Sequence, residues 1–294
     1  MSVSRETPRR AAFLGPAGTN SHEALLAAGL EAEYVAFATV GAVVGAVQDG
    51  SVDRALVPIE NSREGGVGAT LDALVFDAPD VMIVGELVHR VSYCLAAGEA
   101  ISPDEVRTVH SHPQATGQCA RFLAEQLPAA AVVSAASTAD AVRAVAEDGA
   151  LAGVPPHAAI GTRHAAALYG ASVLAAGIED DAENATRFAW IARADHSDPR
   201  DTPAASLPMK TALVFWGGGD LAPGWLVACL TEFSSRAINL TRIESRPRRV
   251  GLGSYMFFCD LQGAASNPGV AAAIDGLRSH CESVRVLGSF PASG

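Results

Sequence analysis

The segment from Val81 to Ala97 constrains the fold most, because it is apolar, rich in strand-forming residues and contains no helix start. On both sides of it, short apolar runs alternate with helical segments, which is the pattern of α/β proteins. We interpret this segment as a strand that crosses from one α/β lobe to a second, and residues 172–193 as the return. Two crossings are typical of two-lobed, periplasmic-binding-protein-like folds, which bind a ligand in the cleft between the lobes.

The alternation predicts the elements of each lobe. In the first lobe we expect three strands, each followed by a helix, at Ala11–Gly15, Tyr34–Ala38 and Arg54–Ile59. In the second lobe, strands and helices should alternate, with strands at Val106–His110, Ala131–Ser134 and Ala150–Val154 and helices at 113–127, 138–147 and 155–169. Because open α/β sheets bind ligands beyond the carboxyl ends of their strands, the loops that follow these strands are candidates for a site.

The pattern changes after a polar, proline-bearing linker at 194–208. Residues 209–291 read strand, helix, strand, strand, helix, strand, which is the ferredoxin-like plan. The expected elements are Lys210–Trp216, Pro223–Ser234, Ile238–Ser245, Ser254–Leu261, Asn267–Cys281 and Val284–Phe290. We therefore predict one domain at 11–193, with a first lobe at 11–92 and 172–193 and a second at 93–171, followed by the linker and a smaller domain at 209–291.

Composition argues against several classes of protein. The 294 residues are 49% hydrophobic and 18% charged, which allows a sizeable core, and the net charge of -11 argues against nucleic acid or an anionic membrane as partner. No apolar run approaches the ~18 residues of a membrane-spanning helix, and residues 1–10 lack the apolar core of a secretory signal. The five dispersed cysteines form no CxxC pair, so we expect mostly buried, reduced thiols in a cytoplasmic protein without a metal site.

Polar side chains gather where the cleft is expected. A glycine turn after the first strand runs into a capped helix start, whose free N–H groups can receive a carboxylate. A hydroxyl, a guanidinium and an aromatic ring stand side by side at Thr186, Arg187 and Phe188. The full candidate set is Thr19, Asn20, Ser21, Glu60, Asn61, Ser62, Ser111, His112, Gln114, Asn184, Thr186, Arg187 and Phe188. Hydroxyls and amides outnumber strong acids and bases, which suits an anionic ring substrate that carries most of its own chemical driving force.

Several of these residues also have a structural interpretation. Arg187 could clamp a carboxylate or form an internal salt bridge. Glu60 could act as an acid or serve as a hydrogen-bonded structural carboxylate. His112 could donate a proton, although a histidine at a helix start is more often satisfied by the backbone. His110 and His112 are two residues apart on one strand face, but a third metal ligand at suitable spacing is missing.

Four separated motifs resemble the bacterial prephenate dehydratases. They are Phe13–Thr19 (FLGPAGT), Val57–Ser62 (VPIENS) with Glu64–Val67 (EGGV), Ser111–Gln114 (SHPQ) with Gln118–Cys119, and Asn184–Phe188 (NATRF). The C-terminal region is similar to the ACT regulatory domain of the same family through Asn239–Pro247 (NLTRIESRP) and Leu287–Pro291 (LGSFP). The resemblance runs in the family's domain order from about Ala12 to Pro291, and several spaced motifs in one order are far more specific than any one of them.

The resemblance implies an enzyme of phenylalanine biosynthesis, a hydro-lyase that converts prephenate to phenylpyruvate without a metal or organic cofactor. The family's Thr-Arg-Phe threonine matches Thr186, which would donate a hydrogen bond to the departing ring hydroxyl. Arg187 and the helix start at Thr19 to Ser21 would hold the two carboxylates of the substrate. The resemblance also implies a homodimer or homotetramer whose paired ACT domains bind phenylalanine as a feedback effector.

Two positions depart from the family. Asn20 stands where the family usually has Phe or Tyr; it could cap the helix together with Glu23, or change the ring environment and thus the substrate. Trp225 replaces a small residue of the regulatory motif, so its indole could partly fill the effector pocket, or point outward or into a dimer contact. The effector residues implied by the resemblance are Pro223, Gly224, Trp225, Leu226, Asn239, Leu240, Glu244, Ser245, Arg246 and Pro247.

The sequence leaves other functions open. The same scaffold could act on arogenate or belong to a specialised prephenate-processing pathway. A prephenate decarboxylase is expected to lose the threonine that is retained at Thr186. A protein of another class, a non-catalytic amino-acid sensor, would combine the two binding lobes with an ACT domain, but the intact Thr186 and Arg187 argue against it.

Overall fold

The computed structural model describes residues 9–148, 156–195, 207–219 and 222–293. The chain divides into two compact units. The first unit comprises Met1–Val43, Leu56–Gly65 and Val88–Arg187, and the second comprises Val44–Ala55, Gly66–Leu87 and Phe188–Gly294. The chain therefore passes between the two units five times.

The elements of the predicted first lobe form one sheet with three helices. Its strands are β1 (Arg10–Leu14), β2 (Glu33–Phe37), β3 (Arg54–Asn61), β4 (Gly65–Gly66), β5 (Val81–Arg90) and β11 (Ala185–Arg193). Their order is β2-β1-β3-β11-β5, with β4 beside β3. The helices are α1 (Asn20–Ala27), α2 (Val40–Gln48) and α3 (Gly68–Phe76). The predicted strands and helices of this lobe are confirmed, and the Thr39 hydroxyl caps α2 by accepting a bond of 3.2 Å from the Ala42 N–H.

A second sheet carries the elements of the predicted second lobe. Its strands are β6 (Cys94–Ala97), β7 (Thr108–Ser111), β8 (Ala131–Ser134), β9 (His157–Gly161) and β10 (Ser172–Ala176), in the order β10-β6-β9-β7-β8. Its helices are α4 (Pro113–Gln118), α5 (Ala120–Gln126), α6 (Thr138–Asp148) and α7 (Arg163–Tyr169), with a short 3-10 turn at Pro103–Glu105. The core of this sheet includes Leu95, Val109 and Ile160, which are fully buried.

The predicted crossing strand Val81–Ala97 is broken in the structure. β5 ends at Arg90 in the first sheet and β6 begins at Cys94 in the second. Between them, the N–H of Val91 donates to the Asn184 carbonyl (2.8 Å) and the N–H of Tyr93 donates to Glu179 Oε2 (2.8 Å). The returning chain thus supplies the backbone hydrogen bonds that a continuous strand would have made within one sheet.

Three other expectations for the second lobe need correction. The predicted helix 155–169 is strand β9 followed by α7, because the run Ala158–Ile160 is buried between β6 and β7 and Thr162, not proline, caps the helix. The predicted helix 113–127 is interrupted at Cys119. β10 pairs with β6, so residues 172–176 belong to the second sheet and not to the first lobe. The predicted strand Ala150–Val154 lies outside the described residues.

The C-terminal elements form an antiparallel sheet with two helices. They are β12 (Met209–Trp216), α8 (Trp225–Ser234), β13 (Leu240–Pro247), β14 (Tyr255–Gln262), α9 (Pro268–His280) and β15 (Ser283–Pro291). The strand order is β13-β14-β12-β15 and every neighbouring pair is antiparallel, as in the ferredoxin-like plan. The predicted fold class is therefore confirmed. The linker at 194–208 falls largely on residues 196–206, which are outside the described residues, and the predicted domain boundaries stay a prediction.

Two further observations bear on the sequence expectations. Cys94, Cys119, Cys229 and Cys259 are buried free thiols and Cys281 is half-buried, as expected for mostly buried, reduced cysteines. Among the helices of the described residues, none combines the length and apolar character needed to cross a membrane.

Candidate active site

Thr186 lies near the start of β11, beside the end of β3. Asn61, the last residue of β3, is 7% exposed and its side-chain amide donates to Thr186 Oγ1 at 3.0 Å. The same amide also donates to Asn184 Oδ1 at 3.0 Å and to the Ala185 carbonyl at 3.2 Å. Asn61 therefore supplies a donor to the Thr186 oxygen, and within the described residues the Thr186 O–H has no acceptor of its own. The hydroxyl is positioned to donate a hydrogen bond to a ligand.

Neutral side chains hold this arrangement from three segments. The buried Asn184 donates to Gln118 Oε1 of α4 at 2.7 Å and accepts a longer bond of 3.4 Å from the Ser62 hydroxyl. The backbone N–H of Ala185 in turn donates to Ser62 Oγ at 3.0 Å. The structure thus brings Asn61, Ser62, Asn184 and Thr186 together as predicted. It adds Gln118, which was not a site candidate although it stands in one of the motifs that carry the family resemblance.

Arg187 is paired with Glu60 inside the first unit. The Arg187 Nε lies 3.1 Å from Glu60 Oε2, and the two side chains are 12% and 38% exposed. The structural interpretation of Arg187 as an internal salt bridge is therefore observed. A carboxylate ligand approaching this guanidinium would meet a cation that already has a partly exposed carboxylate partner, so binding requires exchange or sharing of that partner.

The glycine turn before α1 is held by hydrogen bonds from the second sheet's helix α7. The Thr162 hydroxyl donates to the Gly18 carbonyl (3.0 Å) and the Tyr169 hydroxyl donates to the Ala17 carbonyl (2.8 Å). Thr19 caps α1, since its Oγ1 accepts from the His22 N–H at 3.4 Å and donates to the Leu14 carbonyl at 3.0 Å. The Thr19 hydroxyl is thus committed to the backbone, and the helix N-terminus rather than this side chain is what a carboxylate would meet.

His22 lies directly behind this turn. Its Nδ1 accepts from the Gly18 N–H at 3.1 Å and lies 3.1 Å from His164 Nε2, while its ring stacks on Phe13 with the ring centres 4.7 Å apart. Burial lowers the pKa of His22, and the neighbouring His164 lowers it further. A neutral His22 ring keeps an acceptor available for Gly18, so this histidine supports the conformation of the turn.

Asn20 points its side chain at Tyr93. The Asn20 Nδ2 donates to the Tyr93 hydroxyl at 3.4 Å, and Asn20 Oδ1 is buried without a donor among the described residues. Burial raises the pKa of Tyr93 to about 12, so the phenol stays neutral. The expectation that Asn20 caps α1 is wrong, because Thr19 is the cap and Asn20 is the first residue of the helix. Tyr93 and Glu179, which accepts from the Tyr93 N–H, were not among the candidates.

The remaining candidates are not part of the Thr186 network. Ser111 is fully buried and its hydroxyl donates to the Ile160 carbonyl at 2.8 Å. His112 Nδ1 accepts from the Gln114 N–H at 3.3 Å, so the predicted structural role of His112 at the helix start is confirmed, and Gln114 itself is exposed. Phe188 is 1% exposed and packs in the interior. In the described ranges, no three His, Cys, Asp or Glu side chains form a metal-binding group.

A family model described as prephenate dehydratase matches residues 11–196, which include the whole Thr186 network. The chain belongs to the prephenate dehydratase family. A prephenate dehydratase of Mycobacteroides abscessus is 40% identical over 291 residues, which cover 96% of this chain and 90% of that protein. The family predicted from the sequence motifs is therefore confirmed.

Solved structures of similar proteins extend over the same length. The prephenate dehydratase of Arthrobacter aurescens, solved in complex with L-Phe, superposes with a TM-score of 0.84 at 34% identity and covers 97% of this chain and 92% of its own. A protein described as GqqA, a novel type of quorum quenching acylase, superposes with a TM-score of 0.83 at 29% identity and covers 97% and 98% of the two chains. The C-terminal ferredoxin-like region is therefore shared with these proteins as well.

Three of the effector residues that the sequence resemblance implies, Gly224, Trp225 and Leu226, line a hollow of about 200 Å³ in the second unit. The hollow is lined by Ala222, Gly224, Trp225, Leu226, Val227, Gly253, Tyr255 and Phe257. Trp225 is 9% exposed, packs against Phe215 and Phe257 and donates from Nε1 to the His280 carbonyl at 2.8 Å. The outward orientation considered for Trp225 is therefore wrong, since the indole is part of the domain's own core and one wall of the hollow.

Proposed function

We propose that this chain catalyses the decarboxylative dehydration of prephenate to phenylpyruvate, the activity named for its relatives. The observation that carries the proposal is the Thr186 hydroxyl, which accepts from Asn61 at 3.0 Å and has its own O–H available for a ligand. A fixed hydrogen-bond donor is what a departing hydroxyl requires. Its position within the segment matched by the family supports the same assignment.

The reaction requires the protein mainly to orient the substrate, because most of the driving force comes from the substrate itself. Prephenate, a dianion, takes up one proton and yields phenylpyruvate, carbon dioxide and water. The electron pair of the C–COO⁻ bond moves into the ring as the hydroxyl leaves, and aromatisation drives the step. Threonine is a poor acid at neutral pH, so Thr186 acts as a donor that stabilises charge on the leaving oxygen and does not itself give up a proton.

Arg187 is the candidate clamp for a substrate carboxylate. Its guanidinium lies one residue from Thr186 and is largely buried, which strengthens its interaction with an anion. Glu60 keeps this cation in place before the substrate binds and is exposed enough to move aside. The N-terminus of α1, capped by Thr19, is the candidate site for the second carboxylate.

Incubation of the protein with prephenate tests this function. Phenylpyruvate is read from its absorbance in alkali, and the expected result is enzyme-dependent formation of phenylpyruvate at a rate well above that of the spontaneous reaction. A protein that binds phenylalanine but forms no product would instead support the non-catalytic sensor, and this outcome would overturn the proposal.

Arogenate is a second candidate substrate, and the Asn20 amide favours it. Asn20 Oδ1 is a buried acceptor without a donor among the described residues. An unsatisfied buried acceptor is costly unless a ligand supplies a donor. Both substrates carry the ring hydroxyl, but arogenate adds an ammonium donor where prephenate carries a keto oxygen, which can only accept. Assay of both substrates with the wild type and with Asn20→Tyr decides the preference; a wild-type preference for prephenate that Asn20→Tyr leaves unchanged would remove this candidate.

Phenylalanine is the proposed effector, at the hollow beside Trp225, and a homodimer or homotetramer is the proposed assembly. The L-Phe complex of the relative from Arthrobacter aurescens supports the ligand. Trp225 narrows this hollow, so we expect phenylalanine to bind more weakly here than to a variant with a small residue at this position. Calorimetric titration of the wild type and Trp225→Ala tests this, and light scattering of the eluting protein gives the assembly. A cytoplasmic location is part of the same proposal.

A further inference from the structure

Two side chains of β13 lie directly on the backbone that follows the Asn61 loop. The Glu244 carboxylate occupies the space that a β-carbon on Gly66 would need. A β-carbon on Gly68 would lie 2.6 Å from Arg246 Cζ, so the guanidinium rests against the first residue of α3. The absence of a β-carbon at Gly66 and Gly68 therefore leaves room for these two side chains of β13 to lie against the backbone.

Charged pairs extend the same contact into α3. Arg246 donates to both carboxylate oxygens of Asp72, from Nε at 3.1 Å and from a terminal nitrogen at 2.8 Å. Arg249 adds a bond of 2.8 Å to Asp72 Oδ2, while Glu244 pairs with Arg242. Burial alone would raise the pKa of Asp72, but the hydrogen bonds from Arg246 and Arg249 outweigh it and hold the pKa below its ordinary value. The guanidinium of Arg246 is therefore already bound to a carboxylate of the protein itself, that of Asp72.

The opposite end of α3 is bound by β15. Arg285 donates to the Leu74 carbonyl at 2.8 Å and to the Ala78, Pro79 and Val81 carbonyls at 2.9–3.2 Å. These carbonyls lie at and just beyond the last turn of α3, where a cation is favoured and carbonyls lack intrahelical partners. The ferredoxin-like sheet thus holds α3 at its first residues through β13 and at its last turn through β15.

The chain passes from the first unit to the second between Gly65 and Gly66, only four residues after Asn61. Gly65 adopts a φ of +80°, in the region that favours glycine. We infer that Glu244, Arg246 and Asp72 are positioning residues that fix α3 to the ferredoxin-like sheet. Phenylalanine bound beside Trp225 would then act on Asn61, and through it on Thr186, by way of Gly65–Gly68. This assigns Glu244 and Arg246 to coupling, whereas the family resemblance places them among the effector-binding residues. The inference rests on the proposed binding of phenylalanine for all of its readouts and on the proposed turnover of prephenate for the kinetic one.

Asp72→Asn is the variant that tests this inference most directly. Asp72 contacts neither the Thr186 network nor the hollow, so we expect turnover without phenylalanine within about twofold of the wild type, and unchanged calorimetric binding of phenylalanine. The change in kcat/KM that phenylalanine causes should fall by about fivefold or more, since an allosteric coupling free energy is typically worth ~5-fold to ~150-fold. Arg249→Gln is the matched control, because it removes a more exposed partner of the same carboxylate and leaves Arg246 in place.

Gly68→Ala is an independent test that keeps every charge. Its β-carbon must displace the Arg246 guanidinium, while alanine itself suits the start of a helix. Gly45→Ala in α2 is the control, because a β-carbon there meets nothing within 4 Å. Gly68→Ala should lose the phenylalanine response and Gly45→Ala should keep it.

Hydrogen exchange of the peptide covering 61–68 separates failure of the inference from failure of the proposed function. In the wild type, phenylalanine should change the exchange of this peptide, and in Asp72→Asn it should not, whether or not the protein turns over prephenate. Loss of phenylalanine binding in Asp72→Asn would make Arg246 an effector ligand and overturn the inference. An equal response to phenylalanine in the wild type, Asp72→Asn and Gly68→Ala would also overturn the inference. So would an unchanged peptide in wild-type protein that calorimetry shows to bind phenylalanine, whereas absence of binding in the wild type would instead contradict the proposed effector.

Discussion

The surroundings of Thr186 and the contact between β13 and α3 are built from opposite kinds of side chain. Around Thr186, amides and hydroxyls of Asn61, Ser62, Asn184 and Gln118 bind one another over 2.7–3.4 Å. At α3, by contrast, charged residues form most of the side-chain bonds, with Asp72 between two arginines. A neutral network fixes geometry without adding charge that would compete with a dianionic substrate, whereas charged pairs suit a contact that must hold two segments together.

Arg187 is a charged residue next to the uncharged network around Thr186. Its replacement should reduce activity more than any other change described below except that of Thr186. Arg187→Gln should reduce kcat/KM by about 100-fold, mainly through KM, because the largely buried cation proposed to hold a substrate carboxylate is removed. Steady-state kinetics measure this, with thermal unfolding as a check on folding. Arg278→Gln is the control, since the Arg278–Asp275 pair lies at the surface and should matter less than about twofold. A normal KM in Arg187→Gln would leave Arg187 with its structural role alone.

Trp225, at which the chain departs from the family, should contribute strongly to the stability of the C-terminal ferredoxin-like region. Trp225→Ala should lower the free energy of unfolding by about 3 kcal/mol or more, because a large buried ring and its bond to the His280 carbonyl are both removed. Denaturant unfolding measures the loss, and Trp225→Phe should cost less because it keeps most of the apolar contact. A loss below about 1 kcal/mol for the alanine variant would contradict the core position of the indole.

Asn61 tests whether the neutral network acts through Thr186. Asn61→Ala should lower kcat by up to about tenfold, the effect of one lost hydrogen bond on the Thr186 oxygen. Because the two residues act as one unit, adding Asn61→Ala to Thr186→Ala should cause no further loss, and a double-mutant cycle measures this non-additivity. Independent, multiplying effects would show that Asn61 works by another route.

His22 gives the smallest predicted effect, a dependence of stability on pH. Its pKa in the folded protein is lowered from 6.5, so the unfolded chain binds more protons between these two values. The contribution of His22 to stability is therefore complete above about pH 6.5 and is lost as the pH falls through the lowered value. Thermal unfolding from pH 8 to 5 should show a shallower acid loss in His22→Gln than in the wild type. If the unfolding temperature falls equally with pH in both proteins, the predicted contribution of His22 is wrong.

The sequence predicts the elements better than their pairings. The predicted helix 155–169 is one error. The two prolines at 155 and 156 suggest that the helix begins there, whereas the buried apolar run after them is a strand and the helix begins only after its cap, Thr162. β10 explains another, since only the observed pairing with β6 assigns 172–176 to the second sheet. Both depend on long-range contacts that local propensity does not encode.

The candidate site shows the same limit. The sequence motifs predict four residues of the site, and the structure brings these together: Asn61, Ser62, Asn184 and Thr186. The Asn20–Tyr93 contact and the link from Arg246 to Asp72 join residues 73 and 174 positions apart, and no spacing within the sequence indicates them. Such contacts are set by the packing of elements, so they enter only with the structure.

Turnover of prephenate by Thr186 variants tests the central claim most directly. Thr186→Ala and Thr186→Val should reduce kcat by about 100-fold or more, as expected for the loss of one positioned donor, while substrate binding persists. Thr186→Ser, which keeps the hydroxyl, should recover much of the activity. If Thr186→Val forms phenylpyruvate at a rate near that of the wild type, the hydroxyl does not assist the leaving group and the account is contradicted.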